Sequence, residues 1–172
     1  MKKLILIMAT FTAIFFVGCS TTSTIKAHPD YSGNTSTALV VIDKTDSVNV
    51  LVSGKIEDKE EIDLLRTELI SQFQENGFVL AENNPMATVK VEITNVKRVS
   101  RGTRMLLGAF AGKAKMDVEV IIIKNNQTVS MFSMETEAIS FTGWGNLPGT
   151  TKQAIAKTAE RLVKIITNGT LQ

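Results

Sequence analysis

The side chains best suited to nucleophilic or acid–base chemistry are scarce in this chain. It contains one cysteine, Cys19, and one histidine, His28. A nucleophilic site needs a thiol or hydroxyl within reach of a base that a third group orients. A lone cysteine also excludes an internal disulfide and any metal site built from several cysteines. His28 lies among Ser and Thr residues with no partner nearby, so we interpret it as a solvated side chain; the alternatives are a ligand and a pH sensor.

Carboxylate clusters are the other candidates for catalysis or metal binding. The largest cluster comprises Glu57, Asp58, Glu60, Glu61 and Asp63. These acids stand at the start of a predicted helix, where negative charge interacts favourably with the helix dipole. A second group alternates along predicted strands and comprises Asp117, Glu119, Glu135 and Glu137. The helix dipole explains the first group and solvent exposure explains the second, so we predict no enzyme activity, no metal site and no cofactor.

Two glycine-rich stretches bear on nucleotide binding. The stretch from Gly108 to Lys113 superficially matches a phosphate-binding loop, but its glycines stand one residue too close, and Ala114 replaces the Ser or Thr that would bind Mg²⁺. A predicted strand also follows, where a helix N-terminus would have to face the phosphates. Gly143-Trp144-Gly145 lacks the third glycine of a dinucleotide site. Neither stretch therefore predicts a cofactor.

The first 18 residues have the organisation of a signal peptide. Lys2 and Lys3 precede an apolar run from Leu4 to Val17 that only two threonines interrupt. As a helix, this run would span about 21 Å, which is short of the roughly 30 Å hydrocarbon core of a bilayer. The run therefore predicts a removable targeting segment rather than a spanning helix.

The end of this run, Phe16-Val17-Gly18-Cys19, resembles the lipobox of bacterial lipoproteins. The resemblance implies lipidation of Cys19, cleavage between Gly18 and Cys19, and anchoring by two acyl chains, which hold a protein stably where one chain does not. Phe16 departs from the usual leucine. Ser20 stands where an aspartate would retain a Gram-negative lipoprotein in the inner membrane, so the resemblance implies the outer membrane, facing the periplasm. The alternative is an ordinary signal peptide in which Cys19 has no role.

Residues 19–36 are predicted to comprise the lipidated Cys19 and a flexible tether. Eight of the 17 residues after Cys19 are Ser or Thr, so the segment buries too little apolar surface to offset its ordering entropy. Removal of Lys2 and Lys3 with the signal peptide leaves 17 basic and 17 acidic residues. This balance lacks the basic excess of a nucleic-acid-binding protein.

Residues 37–172 are predicted to form a single α+β domain. Apolar periodicity predicts helices near 58–76, with Gly77 as the C-cap, and near 151–168. Strands are predicted near 38–42, 48–52, 89–93, 115–123 and 128–141, with a hairpin turn at Asn125-Asn126. A slip of the apolar phase at Val96 predicts a bulge or a change of the buried face. The order implies a mostly antiparallel sheet of about four to five strands with both helices packed on one face.

The most unusual segment connects Lys97 to Lys115. It carries six basic residues and no acidic one, around an apolar stretch at 105–112. One hypothesis is contact with anionic head groups or with a protein partner. The residues suggested for this contact are Arg101, Arg104, Phe110, Lys113 and, from the later glycine-rich loop, Trp144. The alternative, which we favour, is a long hairpin connection whose large apolar side chains fold back onto the core.

Two further motifs resemble a family of small bacterial lipoproteins of unknown function. One is the end of the first helix at Asn76-Gly77-Phe78, and the other is the Gly-Ala-Gly-Lys-Ala type of turn over 108–114, which leads into a strand. The likeness covers about residues 48–168. It implies the α+β fold and an envelope location but no functional site.

We therefore expect a non-enzymatic envelope protein that binds a protein partner or takes part in an assembly. The second hypothesis is a lipoprotein that binds a small ligand or lipid in an apolar cavity between sheet and helices. A weak hydrolase with two carboxylates in a cleft is the third. A closed apolar cavity of about 300 Å³ or more would favour the ligand hypothesis, and an exposed apolar patch would favour the protein hypothesis.

Overall fold

In the part of the chain that the structure describes, six strands form one sheet and two helices cover one of its faces. The computed structural model describes residues 20–27, 42–54, 59–98, 113–139 and 148–169. The elements are β1 (Ser20–Ala27), β2 (Ser47–Gly54), α1 (Lys59–Glu75), β3 (Val79–Leu80), β4 (Ala87–Lys97), β5 (Ala114–Lys124), β6 (Gln127–Ile139) and α2 (Pro148–Asn168). Neither described helix has the length and apolar character needed to cross a bilayer.

The sheet is mixed because β2 runs parallel to both of its neighbours. The strand order is β1-β6-β5-β4-β2-β3, and the other neighbouring pairs are antiparallel. α1 lies between β2 and β4 in the chain, and a helical crossover of this kind joins parallel strands. The predicted sheet of four to five mostly antiparallel strands is therefore corrected to six strands in a mixed sheet. The predicted α+β fold with two helices is confirmed.

The segment Ser20–Ala27, which composition predicts to be part of a flexible tether, instead forms the edge strand β1. It pairs antiparallel with β6 along all 8 of its residues. Ile25, opposite Met134, packs against the core. Composition misleads here because a segment with three Thr and one Ile needs only an existing sheet edge to form a strand, not a core of its own. The remainder of the predicted tether, at 28–36, and the signal peptide lie outside the described residues.

Local turn chemistry explains how β5 pairs with its neighbours. Asn125 and Asn126 have φ angles of 51° and 61°, which are the left-handed values that a two-residue type I′ hairpin turn requires. On its other side β5 pairs with β4, and the register shifts between Ile93 and Asn95. This shift lies where the apolar alternation slips. The predicted hairpin turn and the predicted bulge are both confirmed.

Apolar stripes hold the two helices on the sheet. In α1, Leu65, Leu69 and Phe73 are fully buried, as the periodicity predicts. The helix ends at Gly77, whose φ is 85°, and the Phe78 N–H donates to the Phe73 carbonyl oxygen at 3.0 Å in a Schellman motif. The predicted apolar face of α2 is also buried; its residues are Ala154, Ile155, Ala159, Leu162, Val163 and Ile166.

Hydrogen exchange distinguishes a strand from a tether at 20–27. Every second amide of an edge strand donates to its neighbour, so we expect alternate amides of β1 to exchange at least about tenfold more slowly than the amides between them. Exchange measured by NMR on the mature protein in detergent tests this, with the exposed Asn83 and Asn84 as unprotected references. Uniformly fast exchange across β1 would contradict its pairing with β6.

Candidate functional site

The outer edge of β2 is only partly covered by β3. The two strands pair at Ser47 and Val48 alone, and a bond from the Ala81 N–H to the Val48 carbonyl oxygen, at 3.0 Å, follows that pairing. Beyond this point, no described strand lies on the outer side of residues 49–54. An uncovered strand edge presents backbone donors and acceptors that can pair with another chain.

Val50 and Val52 direct their backbone groups to this open side. Successive residues of a strand direct their N–H and C=O groups to alternate sides, and the Val48 carbonyl already faces β3. The Val52 carbonyl oxygen accepts a hydrogen bond from Nη2 of Arg66, on α1, at 3.2 Å. Both backbone groups of Val50 and the N–H of Val52 have no strand opposite them in the described part of the chain.

A groove of about 540 Å³ follows this edge between β2 and α1, and we call it the β2-edge groove. The residues that line it include Val50, Leu51, Arg66, Ile70, Leu80 and Glu82. Val50 points to the helix-covered face, whereas Leu51 points to the opposite face and is 44% exposed. The groove therefore wraps around an open edge. It is neither the closed cavity nor the flat patch that would separate the two leading hypotheses.

Sequence reasoning missed this groove because a strand becomes an edge only through the strand order of the whole domain. One local signal marks it: Leu51 places a large apolar side chain where the alternation of Val50 and Val52 calls for a polar one. On α1, Arg66 and Ile70 stand four residues apart and share one helix face beside the buried stripe.

A family model for a domain of unknown function, DUF4410, matches residues 35–143. The chain belongs to the DUF4410 family. The predicted membership of a domain-of-unknown-function family is confirmed, whereas the lipobox stays a prediction. Comparison with curated proteins finds no match.

Solved structures share this fold at low sequence identity. A PelC dodecamer from Paraburkholderia phytofirmans is 13% identical over 82% of the DUF4410 chain and 96% of the PelC chain, with a TM-score of 0.51. A DUF330 protein from Xanthomonas campestris is 12% identical over 84% and 93% of the two chains, with a TM-score of 0.52. A minor lipoprotein from Acinetobacter baumannii is 14% identical over 71% and 92%, with a TM-score of 0.48. The first two show that the DUF4410 domain has their fold.

Of the contact and lipidation residues that the sequence suggests, only Lys113 belongs to the described part of the chain. It is exposed just before β5, and its Nζ lies 2.9 Å from Oε2 of Glu137. It does not line the β2-edge groove. The residues outside the described ranges are Gly18, Cys19, Arg101, Arg104, Phe110 and Trp144.

Several of the clustered carboxylates are held in ion pairs. Glu61, in the first turn of α1, is buried and accepts a hydrogen bond from Nε of Arg98 at 2.6 Å. On the sheet face opposite the helices, Nζ of Lys115 lies 3.0 Å from Glu135 and 3.4 Å from Asp117. The hydrogen bond to Glu135 and the charge of Asp117 outweigh partial burial and raise the pKa of Lys115. Among the described residues, no group of three or more His, Cys, Asp or Glu side chains is placed to hold a metal ion.

Two adjacent residues of α1 have different surroundings. Leu65 lies in the core, and Arg66 lines the groove. Leu65→Ala is expected to lower the free energy of unfolding by about 2–5 kcal/mol, because it leaves a cavity at a fully buried position. Arg66→Ala removes one hydrogen bond to Val52 from an exposed side chain, so we expect a loss below about 1 kcal/mol. Urea denaturation of both variants measures this. A loss above about 2 kcal/mol for Arg66→Ala would mean that this side of the groove is structural rather than an available surface.

Proposed function

We propose that this DUF4410 protein is a non-enzymatic envelope lipoprotein, anchored through lipid on Cys19, that assembles by strand addition at the β2-edge groove. The edge of β2 at residues 49–54, which has no partner strand among the described residues, carries the assembly part of the proposal. The lipobox-like Gly18-Cys19 supports the anchor, and Ser20 supports the outer membrane, facing the periplasm.

An extended polypeptide fits the β2-edge groove better than a compact partner. Residues 49–54 of β2 span roughly 20 Å, which is the length of an ordinary strand. Val50 and Val52 offer backbone groups, and Leu51, Ile70 and Leu80 offer apolar contacts. Strand addition gains affinity from the backbone bonds and specificity from alternate side chains.

A second copy of the chain has a suitable strand for this edge, its own β1. β1 is the opposite edge of the sheet, and no described strand lies on its outer side. Contact between two different edges is heterologous, and such contacts close into rings when the rotation between copies allows it. The PelC protein that shares this fold is a dodecamer, which supports a role in assembly.

The directions of β1 and β2 place the Cys19 anchors of neighbouring copies on the same side of such an assembly. β1 is antiparallel to β6, and the pairings across β5 and β4 make it antiparallel to β2 as well. A second copy in the same orientation therefore presents its β1 antiparallel to the first copy's β2, the pairing that is slightly more stable per residue. The Cys19 residues of both copies then lie on one side, as attachment to one membrane requires.

A charge placed on the edge should block this pairing. Lys on an edge strand opposes strand addition, so Leu51→Lys is expected to weaken self-association at least about tenfold. Val79→Lys is the matched control, because Val79 is 60% exposed but does not line the groove. Sedimentation of the mature lipoprotein in detergent measures association, and crosslinking in cells identifies the contact.

Three outcomes would contradict self-assembly at β2. The first is a monomeric wild type, and the second is an equal loss of association in both variants. The third is a contact that crosslinks to residues other than those of β1 and β2. If a different envelope protein is crosslinked at Leu51, that protein and not a second copy is the occupant of the β2-edge groove.

Binding of a small ligand or lipid in the same groove is the second candidate function. The groove volume of about 540 Å³ favours it, since ligand pockets occupy about 300–1,000 Å³. Native mass spectrometry of the purified protein separates the two functions. A stoichiometric lipid on a monomer, lost in Leu51→Lys but kept in Val79→Lys, would establish the ligand function and overturn assembly.

The anchor is tested at Cys19 itself. Cys19→Ser is expected to abolish labelling by radioactive fatty acid and to leave an unprocessed precursor, because a serine oxygen cannot form the thioether. Ser20→Ala, at the neighbouring position, should be labelled and processed normally. Fractionation of the wild type should place the labelled protein in the outer membrane. Normal processing and labelling of the Cys19→Ser variant would disprove the anchor.

A further inference from the structure

We infer that one end of the sheet rests on the membrane: the end at which β1 begins, where the cations Lys97, Arg98 and Lys113 contact anionic phospholipid head groups. We call it the anchor end. The inference rests on the proposed lipid on Cys19. It names the protein surface that this anchor would hold against the bilayer.

The register of the sheet brings the residues of the anchor end together. Ser20, the first residue of β1, pairs with Ile139, the last residue of β6. Ala114, the first residue of β5, pairs with the adjacent residue of β6. Lys97, the last residue of β4, pairs with Lys115. The ends of four strands therefore meet at one end of the sheet, and the proposed N-terminal anchor leaves from it.

No spacer separates the lipidation site from the sheet. Cys19 is joined to Ser20 by a single peptide bond, so their Cα atoms are about 3.8 Å apart, and Ser20 is already paired. A flexible tether over residues 20–36 would instead let the domain stand roughly 20–25 Å away. Because the acyl chains enter the hydrocarbon, the anchor end lies at the level of the head groups.

The described part of the anchor end carries exposed cations. In the ion pairs of Arg98 and Lys113 the cation is the more exposed member: the side chain of Arg98 is 49% exposed against 8% for Glu61, and that of Lys113 is 55% exposed against 28% for Glu137. Lys97 is exposed as well. Each basic residue held against an anionic leaflet strengthens binding by about fivefold.

The opposite end of the sheet is remote from Ser20, and most of its described charges are paired. It carries the Asn125-Asn126 turn, the ion pair of Asp46 with Lys124 at 2.6 Å, and the exposed Asp43 and Lys44, whose charges cancel. The 11 residues of β5 separate the two ends by roughly 33 Å. The two ends are therefore far enough apart for a depth measurement to distinguish them.

Fluorescence quenching tests the orientation on the lipidated protein in vesicles of phosphatidylethanolamine and phosphatidylglycerol. Acylation uses the Cys19 thiol, so Lys97→Cys and Asn126→Cys each provide a single free thiol for a label. A quencher attached to lipids near the head groups is expected to quench the label at 97 at least about threefold more than the label at 126, since quenching falls off over far less than the length of β5. Equal quenching, or stronger quenching at 126, would overturn the inference.

Flotation of the same vesicles separates the two possible failures. A protein that floats with the vesicles but shows equal quenching keeps its lipid anchor and overturns only the orientation. A protein that carries no lipid and does not float overturns the proposed anchor together with this inference.

Lipid charge tests the contact with head groups. Quenching of the label at 97 should be stronger in vesicles containing phosphatidylglycerol than in phosphatidylcholine alone. Lys113→Gln should reduce this difference, and Lys44→Gln, at the opposite end, should leave it unchanged. Quenching that does not depend on lipid charge, or that both variants change equally, would overturn the head-group contact.

Discussion

The helical crossover from β2 through α1 to β4 is the constraint on which the rest of the domain depends. It makes β2 parallel to β4 and lays α1 over β2 and against α2, so that one apolar layer closes the core. β5, β6 and β1 then extend the sheet in one direction only. In the other direction the described chain adds only β3, which has 2 residues. The open edge and its groove follow from this unequal growth and not from a local motif.

Sequence patterns predict the elements whose structure depends on neighbouring residues. The buried stripe of α1 and the Asn125-Asn126 turn both follow from spacings of a few positions, which set helix faces and turn dihedral angles directly. Sequence patterns fail for segments whose structure depends on a partner that is distant in the sequence. Ser20–Ala27 has the composition of a tether, yet β6 supplies the edge that makes it a strand. The parallel direction of β2 is likewise a property of the path of the chain.

The same division applies to the candidate site. The proposed anchor rests on contiguous residues, Gly18-Cys19, so a short motif is enough to predict it. The groove cannot be predicted from a short motif, because Arg66 and Ile70 resemble any solvent-facing residues of a helix until the edge of β2 beside them is known to have no described partner at residues 49–54. Leu51 alone breaks its local pattern, and one exposed leucine is common on protein surfaces. It gains meaning only from its place on an open edge.

β1 connects the proposed anchor with the proposed assembly. It begins one residue after Cys19 and forms the sheet edge opposite the β2-edge groove. Attachment at the anchor end would give all copies one orientation in one plane, which would remove much of the translational and rotational freedom that association in solution must lose. An edge contact too weak for soluble monomers would then be sufficient at a membrane. The hydrogen bond from Arg66 to the Val52 carbonyl would oppose pairing of copies that are not yet aligned, because it occupies one acceptor of the edge.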